Sequence, residues 1–309
     1  MWSAAARFSA NSFAMLPAAA RAWPKKARES FIVRDLKGLP ASLGRSGPLE
    51  IRLATTKKDI RKAQKLRFKI FFEEGQAIAD RKASLTRRDI CPYDRICDHL
   101  LVIDHAAVNR FGRSKPKVVG TYRLLRQDVA ELHSGFYSAQ EFQIENLLAR
   151  HAGKRFLELG RSCVHRDYRS KRTLELLWRG IWAYVQHHRM DVMIGCASLS
   201  GTNPLAHAQA LSFLHHHAPS TSDWNAKAHE RHYVDMNMID ATALDARKAL
   251  AKLPPLVKGY LRVGATFGEG AVVDRMFGTT DVLVVMPIAD IQDRYISHFG
   301  GDQSESQAA

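Results

Sequence analysis

The chain has 309 residues, 46% hydrophobic and 25% charged, the balance of a globular protein with a large core in one elaborated domain or two. A formal net charge of +15 asks for a negative partner field, whether nucleic acid, anionic lipid or an acidic protein, and composition does not choose among these. No apolar run approaches the roughly 20 residues of a membrane-spanning helix, and VLVVMPIA (282–289), among the longest, reads as a buried strand, so the chain is not expected to cross a bilayer.

Residues 1–48 hold eight Lys/Arg and two Asp/Glu, with the first acid at Glu29 and a linker-like GLPASLGRSGP at the end. A disordered extension, an organellar targeting peptide and a basic arm on anionic lipid all fit this composition. A secretory signal does not, because Pro17 interrupts a weak apolar region. From Leu49 the pattern is regular, which puts a folded domain at 49–299 and a disordered tail at 300–309.

LEIRLA (49–54) reads as a strand. Thr56 with Asp59 three residues on opens a predicted helix over 57–72, with Ile60, Ala63, Ile70 and Phe71 on one face and Arg67 among them. HLLVID (99–104) and KVVGTYRLLR (117–126) read as strands, and YSAQEFQIENLLAR (137–150) as a helix. A strand at 156–164 precedes a helix at 172–189 whose stripe is Leu174, Leu177, Trp178, Ile181, Trp182 and Val185. DVMIGCAS (191–198) is a buried strand. NPLAHAQALSFLHHH (203–217) and ATALDARKALAKL (241–253) are helices, the second ended by Pro254-Pro255. GYLRVGATF (259–267) and TDVLVVMPI (280–288) close the set as strands. This mixture without strict alternation implies an α/β fold, a mixed central sheet with helices on both faces.

The segment FLELGRSCVHRDYRSKRT (156–173) concentrates the chemistry. Glu158 and Arg161 are three apart, so an unbroken strand puts them on opposite faces; a bulge, easiest at Gly160, returns them to one side. A bulge also frees an N–H that can bind a carbonyl oxygen. Glu158 is the candidate base and Arg161 the candidate orienting group, and an ordinary buried ion pair fits the same residues. Arg166, Arg169, Lys171 and Arg172 crowd the start of the following helix, where charge and backbone N–H groups converge on one spot, as an anion site requires. Arg67 and Arg123 are candidates for holding a carboxylate or phosphate by paired bonds. Asp94 and Asp98 are candidates for a substrate ammonium. Cys91, Cys97, Cys163 and Cys196 lack metal-ligand spacing and are expected as free thiols in a reducing cytosol, with Cys163 and Cys196 as small core residues. The run His215–His217 suits a solvated helix end, not a metal site.

These residues resemble the GNAT superfamily of N-acyltransferases, in which a bulged strand, a loop of pattern Arg/Gln-x-x-Gly-x-Gly/Ala and a helix bind the donor's pyrophosphate. Here the loop reads Arg169-Ser170-Lys171-Arg172-Thr173-Leu174, with the arginine and neither glycine. That departure points from free coenzyme A toward a pantetheine phosphate on acyl carrier protein, an acidic partner. LRFKIFF (66–72), the Asp94/Asp98 segment, GTYRLLR (120–126) and ELGRSCV (158–164) resemble motifs of the acyl-homoserine-lactone synthases. By that likeness Arg67, Phe71, Asp94, Asp98, Arg123, Glu158 and Arg161 fall on functional positions. GCASLSGTNP (195–204) and PPLVKGYLRVGATFGEGAVVD (254–274) extend the likeness, over roughly 50–299, to the ornithine N-acyltransferases of bacterial ornithine-lipid synthesis.

The resemblance implies transfer of a 3-hydroxyacyl group from acyl carrier protein to the α-amine of L-ornithine, with no metal and no cofactor beyond the donor's acyl-phosphopantetheine. It implies a cytoplasmic enzyme, with peripheral contact to the inner membrane through the basic N-terminal segment. An autoinducer synthase is the second enzymatic reading. Charge alone would fit a nucleic-acid-binding protein or a lipid-surface scaffold, but no nucleic-acid-binding motif is present, and nucleic acid is not an expected partner.

Overall fold

The computed structural model describes residues 36–291. Nine strands form one sheet: β1 (Gly44–Ser46), β2 (Leu49–Leu53), β3 (Asp98–Asp104), β4 (Lys117–Arg126), β5 (Phe156–Val164), β6 (Val192–Ser200), β7 (Tyr233–Val234), β8 (Thr266–Asp274) and β9 (Thr279–Pro287). Their spatial order is β1-β2-β3-β4-β5-β6-β9-β8-β7. Every neighbouring pair is antiparallel except β5–β6, which makes the sheet mixed as expected.

The helices are α1 (Lys57–Phe68), α2 (Arg81–Thr86), α3 (Gln127–Glu131), α4 (Ile144–Arg150), α5 (Lys171–His188), α6 (Ala208–His217), α7 (Ala246–Lys252) and α8 (Pro255–Val263). Strand alternation sends successive side chains to opposite faces, and each face of β3 finds its own helix. Leu100 and Val102 pack with Leu177, Ile181 and Val185 of α5, whereas Leu101 and Ile103 pack with Ile60, Ala63 and Leu66 of α1. Gly180 sets how closely α5 lies on the sheet, since a Cβ there would come within 2.7 Å of Ile51. α1 begins at Thr56, whose hydroxyl accepts the Asp59 N–H at 3.1 Å. It runs into a π-helical turn, Lys69–Glu73, a distortion that re-aims side chains and recurs at functional sites.

Three sequence expectations need correction. The folded region starts before Leu49, because β1 lies in the supposed linker and Leu43 is buried in the core. Residues 137–150 are not one helix: a 3-10 turn, Ser138–Gln140, stops where fully buried Phe142 bridges to Ala228, and α4 starts at Ile144. Residues 259–263 are helical, not extended. Pro255 opens α8 at its first position, Val257, Tyr260 and Val263 form its buried face, and Gly264 ends it at φ +94°. Their β-branched and aromatic content suggested a strand. The expectations for residues 1–35 and 300–309 lie outside the described residues. Among the described residues no helix is long and apolar enough to cross a membrane.

Candidate active site

The site lies where β5 and β6 part. Their parallel pairing lasts from Phe156↔Val192 to Glu158↔Ile194 only. Beyond it β5 stays with β4 and β6 with β9. Gly195 stands at the fork, where any side chain would strike the Leu159 carbonyl. A cavity of about 520 Å³ opens there, walled by Glu158–Ser162 of β5, Cys196 and Ser198 of β6, Phe71 after α1, and Asp274, Phe277 and Asp281 of the β8–β9 hairpin.

The bulge in β5 exists, one residue later than expected. Thr121 pairs with Cys163 and Arg123 with Gly160, so Arg161 and Ser162 together face Tyr122. The left-handed residue is Arg161, at φ +51°, and Gly160 is ordinary. The consequence is as anticipated: Glu158 and Arg161 line the same cavity. The Arg161 guanidinium lies 4.1 Å from the Phe277 ring centroid and 4.8 Å from that of Tyr137, a sandwich of cation–π contacts. The Glu158 carboxylate is buried and accepts from the Tyr137 N–H at 2.9 Å, the Ser138 N–H at 2.7 Å and the Ser138 hydroxyl. These bonds hold the Ser138–Gln140 turn against the sheet.

Of the other candidates, Arg123 and Phe71 line the cavity. Arg67, Asp94 and Asp98 do not. Arg67 is fully buried, donating to Asp89 at 2.7 Å and to Asp94 at 2.8 Å, and Asp94 also accepts from Gln64. Burial would raise the Asp94 carboxyl, but Arg67, His99 and Arg123 hold it well below the ordinary range. Asp98 accepts the Tyr184 hydroxyl on the α5 side of the sheet. These three residues brace the fold behind the site instead of meeting a ligand, which departs from the expectation that they bind substrate. An arginine on an apolar helix face looks the same in sequence in either role.

In the loop before α5, Arg169 reaches the cavity and pairs with Glu74 at 3.2 Å. Arg166, Lys171 and Arg172 are exposed beside it and do not line the cavity. Ser170 caps α5, accepting the Thr173 N–H. Behind this loop, His165 Nε2 lies 2.8 Å from Lys69 Nζ and 3.2 Å from Lys117 Nζ. Burial and the two lysines hold its proton affinity below the usual histidine value.

Sequence reasoning missed the acidic wall. Glu141, Asp274 and Asp281 bring carboxylate oxygens within 4.8 Å of one another. They come from distant segments, so no spacing links them. Burial, then the neighbouring carboxylates, raises both Glu141 and Asp281. Cys196 is not the core residue expected: it lines the cavity, and its thiol donates to Glu141 at 3.3 Å. Cys163 is buried, and none of the four cysteines is in a disulfide.

A bulged strand, a fork between parallel neighbours and a cationic loop capping the next helix define an N-acyltransferase of the GNAT class, and residues 66–179 match the acetyltransferase (GNAT) domain. The chain is 53% identical over 269 residues to the L-ornithine N(alpha)-acyltransferase of Agrobacterium fabrum, covering 87% of this chain and 90% of that protein. It is 51% identical over 272 residues to that of Rhizobium meliloti, covering 87% and 91%. The chain belongs to the L-ornithine N(alpha)-acyltransferase family. Among solved structures, an N-acyl amino acid synthase from uncultured soil microbes aligns with a TM-score of 0.45 at 10% identity, over 78% of this chain and 92% of that one.

Proposed function

We propose that this chain transfers a 3-hydroxyacyl group from acyl carrier protein to the α-amine of L-ornithine, giving a lyso-ornithine lipid. The observation that carries this reading is one continuous cavity with Arg169 at its donor-loop end and Glu158, Arg123 and Arg161 along its wall. Four relatives at 38–53% identity bear the ornithine acyltransferase name, which supports the choice of acceptor. The carrier-bound donor is supported by the exposed cations Arg166, Lys171 and Arg172 beside Arg169, on a chain of net charge +15, facing an acidic partner.

In the proposed reaction the neutral α-amine attacks the thioester carbonyl carbon. The oxygen gains negative charge beside the bulge at Arg161–Ser162, where a backbone N–H stabilises it. Once the C–N bond forms, the nitrogen is strongly acidic, so a hydrogen-bonded carboxylate is basic enough to take its proton. Glu158 fills that role, directly or through water. The C–S bond then breaks and pantetheine leaves as the thiolate, which takes up the proton. Arg123 and Arg161 hold the acceptor's carboxylate.

The purified chain, supplied with 3-hydroxyacyl carrier protein and L-ornithine, should yield Nα-acylornithine by mass spectrometry. No product with ornithine, or an acyl-homoserine lactone when S-adenosylmethionine is supplied, would overturn the reading. The basic N-terminal segment is proposed to touch anionic membrane; liposome flotation with and without residues 1–48 tests this.

A further inference from the structure

The cavity has two electrical poles, and the proposed reaction as written uses only one. Arg123 and Arg161 form the positive side. Arg123 is 2% exposed and its Nη1 makes no hydrogen bond, although Asp94 lies 3.7 Å away. The negative side is Asp274 and Asp281, which line the cavity, with Glu141 outside the lining but with a carboxylate oxygen within 4.8 Å of theirs. Asp281 is 6% exposed, lines the cavity, and its Oδ1 is buried without a hydrogen-bond partner. Among the described residues, no lysine or arginine forms an ion pair with any of these three acids. Three carboxylates packed together without a paired cation are a costly arrangement unless something positive completes it.

We propose that Glu141, Asp274 and Asp281 form the subsite for the acceptor's side-chain ammonium, selecting dibasic α-amino acids over neutral ones and directing acylation to the α-nitrogen. This rests on the acyltransferase reading above.

The geometry fits an ammonium. A primary ammonium has three N–H donors in tetrahedral array, and with N···O near 2.8 Å its acceptors stand about 4.6 Å apart. The three acids offer oxygens no more than 4.8 Å apart. The charges fit too. The carboxylate of an amino acid on Arg123 and Arg161 and an ammonium on the acids would leave the α-nitrogen between the two poles, on the β5 side where Glu158 lies.

The same arrangement accounts for which nitrogen reacts. An ammonium held by three carboxylates keeps its proton and has no lone pair for attack. Only the α-amine, away from the acids, is free to deprotonate. Burial and the neighbouring carboxylates raise Glu141 and Asp281, so an incoming ammonium favours their ionised forms. Ser198, Thr279, Arg161 and Cys196 also face the cluster: the Ser198 and Thr279 hydroxyls lower Asp281, Cys196 lowers Glu141, and Arg161 lowers both acids.

The test compares L-ornithine with L-norvaline, its analogue lacking the side-chain amine, in binding by calorimetry and in turnover with acyl carrier protein. Wild type should prefer ornithine by about 10²-fold or more. Asp281→Asn should weaken ornithine binding ~10- to 100-fold and leave norvaline unchanged, so the ratio collapses; Glu141→Gln provides a second variant should Asp281→Asn not fold. A general packing defect would weaken both ligands and keep the ratio, which overturns the proposal. So would saturable Mg²⁺ or Ca²⁺ binding that Asp281→Asn abolishes and ornithine does not displace. If ornithine is acylated and both variants keep the wild-type ratio, the subsite is wrong and the acyltransferase reading stands. If another dibasic amino acid is the acceptor and its preference collapses in the variants, the subsite stands and the ornithine assignment falls.

Discussion

Arg161 and Phe277 hold one another in place: the guanidinium lies 4.1 Å from the ring centroid while the arginine backbone sits at φ +51°. A non-glycine residue in that region costs about 1–2 kcal/mol. The rings of Phe277 and Tyr137 on either side of the guanidinium offset it. Arg161→Lys keeps the charge but loses the planar face and paired donors. We expect kcat/KM for the acceptor to fall at least ~10-fold, about 1.4 kcal/mol, with Tm moving by only a few degrees. Unchanged kcat/KM would mean that the ring sandwich does not position substrate.

Glu158→Gln is expected to lower kcat by about 10²- to 10⁴-fold. The wild-type rate should rise with pH to a plateau near the α-amine's ordinary value of about 8, because only neutral amine attacks. The glutamine variant should lack that plateau and keep climbing as hydroxide replaces the missing base. Near-wild-type turnover across the range would remove Glu158 from the proton path.

Arg67→Met leaves Asp89 and Asp94 buried without their shared cation. A loss of roughly 3–5 kcal/mol is expected by urea unfolding, with part recovered on adding Asp94→Asn. The sign with pH follows from the depressed Asp94 carboxyl. Its contribution is present above the unfolded value of about 4 and is lost as pH falls further. Wild type should therefore lose stability in acid faster than the double variant.

The acidic wall predicts the opposite slope. Glu141 and Asp281 bind protons more tightly folded than unfolded. Their favourable contribution is complete below the ordinary carboxylate range and is lost as pH rises through the raised folded values. Without ligand, melting temperature should decline from acid toward alkaline pH more steeply in wild type than in Asp281→Asn. Saturating L-ornithine should cancel most of that decline. Parallel curves for the two proteins would show that Asp281 carries no raised proton affinity.

Reversing Arg166, Lys171 and Arg172 to glutamate should raise KM for acyl carrier protein and flatten its dependence on salt, since fewer charge contacts remain to be screened. An unchanged salt slope would assign these residues to plain surface.

Much of the frame was legible in the sequence because periodicity reports local structure. The strands at 99–104, 117–126 and 156–164 and the stripe of α5 lie where their patterns put them. The bulge was legible from the spacing of Glu158 and Arg161, though its strained position fell on the arginine instead of Gly160. What the pattern could not carry is pairing at long range. Arg67, Asp94 and Asp98 share residue types with a ligand site, yet they are taken up by buried partners distant in sequence, Arg67 by Asp89 and Asp94, and Asp98 by Tyr184. Glu141, Asp274 and Asp281 meet only once the segment after the Ser138–Gln140 turn and the paired strands β8 and β9 are brought together. The helix α8 was misread because Tyr260 and Val263 have strand-like side chains, and the prolines before them set the backbone.

The fork between β5 and β6 leaves two strand margins facing each other inside one sheet, each retaining its outer neighbour. On a protein's rim such a margin is a hazard, because it recruits foreign polypeptides into the ladder. Enclosed here, with Gly195 at its apex, the same margin borders an internal cavity, so the backbone groups left over by the parting strands belong to a binding site and not to an open rim.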